Sequence, residues 1–225
     1  SLMLTLATLF FFTAIKTNPI PNALTLLFVS PLIVAILAPF VLGERFDIFI
    51  GIGVLVGFVG VVIVLQPDTD QFKPSLLYAL VAGFCYSLYI ITTRKLSLSG
   101  PPLLTLFYTA IVGTFVLGPM AISGWVAPDL VGILMAAAMG LVAAISHFMI
   151  IKSFECATAS ELSPFGYFEI VVAIVLSYFV FKFVPTPQAV TGLIIIISSG
   201  LFVSWRAMKN NKAITKQSES VIEML

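Results

Sequence analysis

Three observations predict the fold class, an all-α membrane protein: a helical bundle of inverted five-helix repeats, with about seven full transmembrane helices plus a partial one in this chain. The first is composition. Of 225 residues, 60% are hydrophobic and 9% charged, against roughly a quarter charged in an average soluble domain, and the mean hydropathy is +1.15. The second is segment length. Seven runs approach the ~20 apolar residues a helix needs to cross the hydrocarbon core: 23–42, 48–65, 75–93, 102–122, 129–151, 162–181 and 188–205. The third is a weak internal repeat. A shift of 139 residues sets 17–53 against 156–192 without a gap, placing Gly53 on Gly192 and Ser30 on Glu169.

Each element has its own signals. Residues 2–15 are apolar but too short to cross, and they lack the basic start and small-residue cleavage site of a signal peptide. By the repeat shift the second copy begins near Pro74 and the first lacks about 65 residues at its N-terminus, so 2–15 is expected to be a partial helix. The run 23–42 contains Ser30-Pro31; a mid-helix proline removes a hydrogen bond, which either exposes a carbonyl to a cavity or simply bends the helix. Glycines 51, 53, 57 and 60 in 48–65, with Gly192 and Ser198-Ser199-Gly200 in 188–205, read as close-packing surfaces. In 75–93, Tyr86, Tyr89 and Thr93 share a stripe one turn after Ala82, as a packed core or as the wall of an aromatic pocket. Tyr108 in 102–122 and Tyr167 in 162–181 are similar candidates.

His147, the only histidine, lies on a stripe with Ala136, Gly140 and Ala144, read equally as helix packing and as pathway. Thr158-Ala-Ser-Glu161 has capping-box spacing and starts 162–181. Within that run stands Glu169. A charge at the bilayer centre costs about 2.5–3.5 kcal/mol even on lenient scales, so such residues usually face the bundle interior and take part in function. Helical spacing puts Phe165, Gly166, Val172 and Ala173 on its face. The alternative is a neutral structural glutamate hydrogen-bonded to another helix.

Rival classes find little support. Runs such as "IIIISSGLFV" do not alternate as barrel strands do. Cys85 and Cys156 have neither disulfide-framework nor zinc spacing. A lone Glu and a lone His in the spans give no catalytic constellation, and no Gly-rich phosphate loop indicates ATP drive. No cofactor, metal or nucleic-acid partner is expected. With Ser1 on the cytoplasmic side, eight of eleven basic residues fall in cytoplasmic loops and tail: Arg45, Arg94, Lys95, Lys152, Arg206, Lys209, Lys212 and Lys216, against Lys16, Lys73 and Lys182 outside. Residues 206–225 are then a poorly ordered cytoplasmic tail. Repeats of five helices, an odd number, enter the membrane in opposite senses, as in secondary transporters.

These residues resemble the drug/metabolite transporter superfamily, EamA type. The resemblance is carried by "SPLIVAILAPFVLGERF" and "GIGVLVGFVGVVIVLQP" in the first copy, and by "TRKLS", "FYTAIVG", "SHFMIIKSFECATASELSPFGYFE" and "GLIIIISSGLFVSWR" in the second. It implies ten helices in two inverted repeats, with 1–67 the C-terminal part of the first repeat and 74–205 the second. Two departures stand out: the first two helices and part of the third are not in this chain, and the second copy has "FKF" (181–183) where the first has "LGE" (42–44). Among branches of the family it looks most like carriers of metabolites such as riboflavin or S-adenosylmethionine. The implied function is secondary transport of a small organic metabolite by alternating access in a bacterial inner membrane, with a mid-membrane site at Glu169, Tyr167, Tyr86, Tyr89, Tyr108, His147 and Ser30. A coupling proton and a homodimer are candidate partners besides substrate and lipid. A structural or non-functional subunit is the alternative, an intramembrane enzyme a lesser one.

Overall fold

A computed structural model describes residues 1–222 apart from Arg45, Phe46, Thr69, Gln71, Phe72, Gly124 and Phe183, with side chains undescribed at 123 and beyond 209. Ten helices and no strand occur among the described residues: α1 (Leu2–Ile15), α2 (Ile20–Leu27), α3 (Ser30–Leu42), α4 (Ile48–Leu65), α5 (Leu77–Ser97), α6 (Pro102–Ser123), α7 (Leu130–Cys156), α8 (Ala159–Leu162), α9 (Phe168–Phe181) and α10 (Pro187–Ile222). Seven spans are long and apolar enough to cross a membrane. The protein is an integral, multi-pass helical bundle.

Two of the seven spans are broken, which corrects the expectation of continuous helices at 23–42 and 162–181. In the first, Pro31 offers no N–H, and the chain steps through tighter bonds: Val29 N–H donates to Leu26 O at 3.3 Å and Leu32 N–H to Val29 O at 3.0 Å. The carbonyls of Leu26 and Leu27 turn towards α5, where a Cβ on Gly83 would stand 3.0 Å from each. In the second span, a 3₁₀ turn at Ser163–Tyr167, with Pro164 in its first turn, separates α8 from α9. Under the 139-residue shift, Phe168, the first residue of α9, falls on Val29, so both copies break at one register.

The close-packing glycines meet where α4 crosses α10. A Cβ on Gly53 would stand 2.4 Å from Val203 Cγ2, and one on Gly192 2.6 Å from Val64 Cγ2. Adding 139 to position 53 gives 192 and subtracting it from 203 gives 64, so the shift exchanges the two pairs. Ser199 Oγ donates to Gly53 O at 2.7 Å, while a Cβ on Gly60 would lie 2.9 Å from Gly192 O; these pairs too exchange under the shift. Positions climbing α4 meet positions descending α10, so the helices are antiparallel, and the exchange is that of a two-fold axis perpendicular to both. Gly51, by contrast, has nothing within 4 Å of a built Cβ.

Side-chain bonds identify the two ends of the bundle. At the tail end, Asp47 accepts from Arg206 Nε at 2.8 Å, and Glu44 meets the start of α8. At the opposite end, Asn18 bonds Ser75 at 2.9 Å, and Asn22 Nδ2 donates to Asp68 O at 2.8 Å. The capping box is formed: Glu161 N–H donates to Thr158 Oγ1 at 3.2 Å, and Thr158 N–H to Glu161 Oε2 at 3.0 Å. One expectation is overturned: the tail is helical to Ile222 rather than poorly ordered, since 206–222 holds no Gly or Pro to stop the helix. Of the stripe read equally as packing and as pathway, Gly140, Ala144 and His147 border an open groove of about 750 Å³ between α1, α6 and α7.

Candidate substrate site

The two helix breaks face each other at mid-span. Ser30 opens α3 and Glu169 lies in the first turn of α9, where unpaired N–H groups and the helix dipole favour a carboxylate. Two cavities flank this level. One, about 300 Å³, reaches Leu4, Thr8 and Phe11 of α1 and His147 of α7. The other, about 450 Å³, reaches towards the tail end, past Ile90, Ser153, Phe154 and Ala159. Ser30, Pro31, Tyr86, Gly166 and Glu169 line both, forming one shared wall.

Glu169 is exposed to this space, and no hydrogen bond or ion pair is recorded for it among the described residues. The helix-to-helix bond that a structural glutamate needs is therefore not seen. Tyr86 borders the same two cavities, with its ring 5.9 Å from that of Tyr89. Tyr89 is 1% exposed and lines neither cavity; its hydroxyl pairs with His147 Nδ1 at 3.2 Å, and its ring meets the imidazole edge-on. It holds the wall in place from behind. Neither a Lys nor an Arg lines either cavity, and no group of three or more metal-ligating side chains occurs among the described residues.

The remaining candidates lie elsewhere. Tyr167 is fully buried against Phe28 and Gly57, in the core cluster where α4 and α10 meet. Tyr108 is 55% exposed on the outer face of α6. Val172 and Ala173 are exposed and line neither cavity, although both lie in α9 one turn beyond Glu169. Glu44 received no role from the sequence, yet it is a heavily bonded carboxylate: it accepts from Ala159 N at 2.8 Å, Ser160 N at 3.1 Å and Ser160 Oγ at 2.8 Å. The signal that pointed to it was the contrast of "LGE" with "FKF".

Helices long and apolar enough to cross a bilayer, two of them broken opposite a carboxylate in a cavity, define the class as a polytopic membrane protein. The EamA-like transporter family matches residues 1–66 and 73–205. The chain belongs to that family. It is 31% identical over 192 residues to an S-adenosylmethionine uptake transporter of Rickettsia prowazekii, covering 85% of this chain and 65% of that one. It is 28% identical to a riboflavin transporter of Vibrio cholerae, covering 86% and 66%. The chain thus spans about two thirds of the length of these curated relatives. A solved crystal structure of a protein 19% identical, with a TM-score of 0.77 over 88% of this chain and 73% of that one, shares the fold.

Proposed function

We propose that this chain carries the substrate site of a secondary transporter that moves a small organic cation by alternating access between two inverted repeats. The shared wall is the observation that carries the reading. A carboxylate at a pair of helix breaks, reachable from two cavities, is what a carrier needs to hand its cargo from one side to the other. The repeats are 1–67 and 74–205, and the tail end faces the cytoplasm of a bacterial inner membrane, as the basic residues there favour.

Charge orders the substrates. Among the described residues, Glu169 is the only acidic group lining the wall and neither a Lys nor an Arg lines either cavity, which favours a positively charged cargo. Of the two metabolites named for the relatives, S-adenosylmethionine carries a sulfonium and riboflavin is uncharged. Tyr86 and Phe28 supply aromatic surface beside the carboxylate, where a cation gains further from ring faces. A proton on Glu169 is the second cargo this site can hold, exchanged for the cation.

Uptake of both metabolites into proteoliposomes holding the full-length transporter tests this, with Glu169→Gln alongside. S-adenosylmethionine transport that is lost in the Gln variant, at normal membrane levels of protein, is the expected result. A Gln variant with unchanged rate and unchanged pH dependence makes Glu169 a packing residue and sinks the site.

A further inference from the structure

We infer that Glu44 is a positioning residue of the transport cycle: with Arg94 it forms a latch that holds the tail end of the cavity shut and must open for cargo to pass. This rests on the transport reading above. Glu44 lies in the link between α3 and α4, and its side chain is only 6% exposed. Its two oxygens accept from Ala159 N, Ser160 N and Ser160 Oγ at 2.8–3.1 Å. Arg94 Nε stands 3.7 Å from the same carboxylate, and an Arg94 Nη1 donates to the Phe154 carbonyl. One carboxylate thereby joins the first repeat to α5, α7 and α8 of the second.

The groups it holds are the floor of the site. Ala159 and Phe154 both line the cavity of about 450 Å³, as does Ile90, one turn before Arg94. When the carboxylate lets go, the start of α8 loses its tie to α3, and the end of α7 its tie to Glu44 through Arg94. That part of the cavity wall is then free to separate. A plain structural clasp would be expected at both ends of a duplicated bundle, yet this one is not repeated. The shift of 139 carries Glu44 to Phe183, so the second repeat offers no carboxylate at the matching position. Charge-assisted bonds are roughly twice as strong as neutral ones, so the contacts of Glu44 hold the tail end closed until they are broken.

Two measurements on the full-length transporter, with Cys85→Ala and Cys156→Ala, test the latch. In the first, Glu44→Cys and Ser160→Cys are bridged by a short bis-methanethiosulfonate. Transport that stops on bridging and returns with dithiothreitol supports opening at this contact; a bridged protein that runs at the unbridged rate overturns it. The second needs no substrate, so it scores the latch separately from the transport reading. Ser153→Cys lines the cavity, and its labelling by a membrane-impermeant maleimide from the tail side is expected to quicken about tenfold with Glu44→Gln, the change that loss of one charge-assisted contact brings to a two-state equilibrium. Equal labelling in the two proteins overturns the latch. The parent protein with Cys85→Ala and Cys156→Ala alone, Glu44 and Ser160 intact, would overturn the transport reading instead if it moves no cargo.

Discussion

Tyr89 acts on the site without touching the cavity, and its hydroxyl gives a clean measure of that action. Removing it in Tyr89→Phe frees His147 from one bond, and interhelical hydrogen bonds in membranes average about 0.6 kcal/mol. Substrate binding is expected to weaken by no more than about threefold, with unchanged protein yield, as read from the KM of uptake. Glycines separate packing from function in the same way. Gly60→Ala puts a methyl 2.9 Å from the Gly192 carbonyl, an overpacking that costs about 1–3 kcal/mol, whereas Gly51→Ala points into open space. Thermal unfolding in detergent should show a lowered midpoint for the first and none for the second. Much at this scale was legible in the sequence: Glu169, Ser30, Tyr86 and His147 meet at the cavities because an intramembrane polar group has few places to go. Tyr167 was not, since nothing in a single sequence distinguishes an aromatic facing a cavity from one facing a glycine on α4.

The seven helix spans follow from apolar length alone, because backbone groups in lipid must bond within their own segment. Their breaks were harder to see. Pro31 announced one, but the run 162–181 was read as a single helix, and the 3₁₀ turn at Ser163–Tyr167 divides it just ahead of Glu169. The capping box was legible because its four residues contain the whole interaction. Thr158→Ala is expected to cost about 1 kcal/mol through loss of that cap, while Thr158→Ser retains it. Unfolding midpoints of the three proteins make the comparison, and equal midpoints for Ala and Ser would show that the cap contributes nothing. The helical course of 206–222 escaped the sequence reading because a polar chain terminus was read as poorly ordered, although no Gly or Pro in that stretch breaks a helix.

For the whole molecule, orientation is the proposal most directly checked. A green fluorescent protein fused after residue 225 should fluoresce and an alkaline phosphatase fused there should be inactive, because the tail end carries eight of the eleven basic residues; the reverse pattern would invert the topology. The repeat was legible in outline, by one shift over 17–53 and 156–192. Its meaning lay in contacts between positions far apart in the chain, where Gly53 meets Val203 and Gly192 meets Val64. That seam has a mechanical consequence. Backbones this close have no lateral play, so α4 and α10 cannot slide past each other without lifting apart. In the alternating-access cycle proposed above they form an axle, around which the remaining helices would swing.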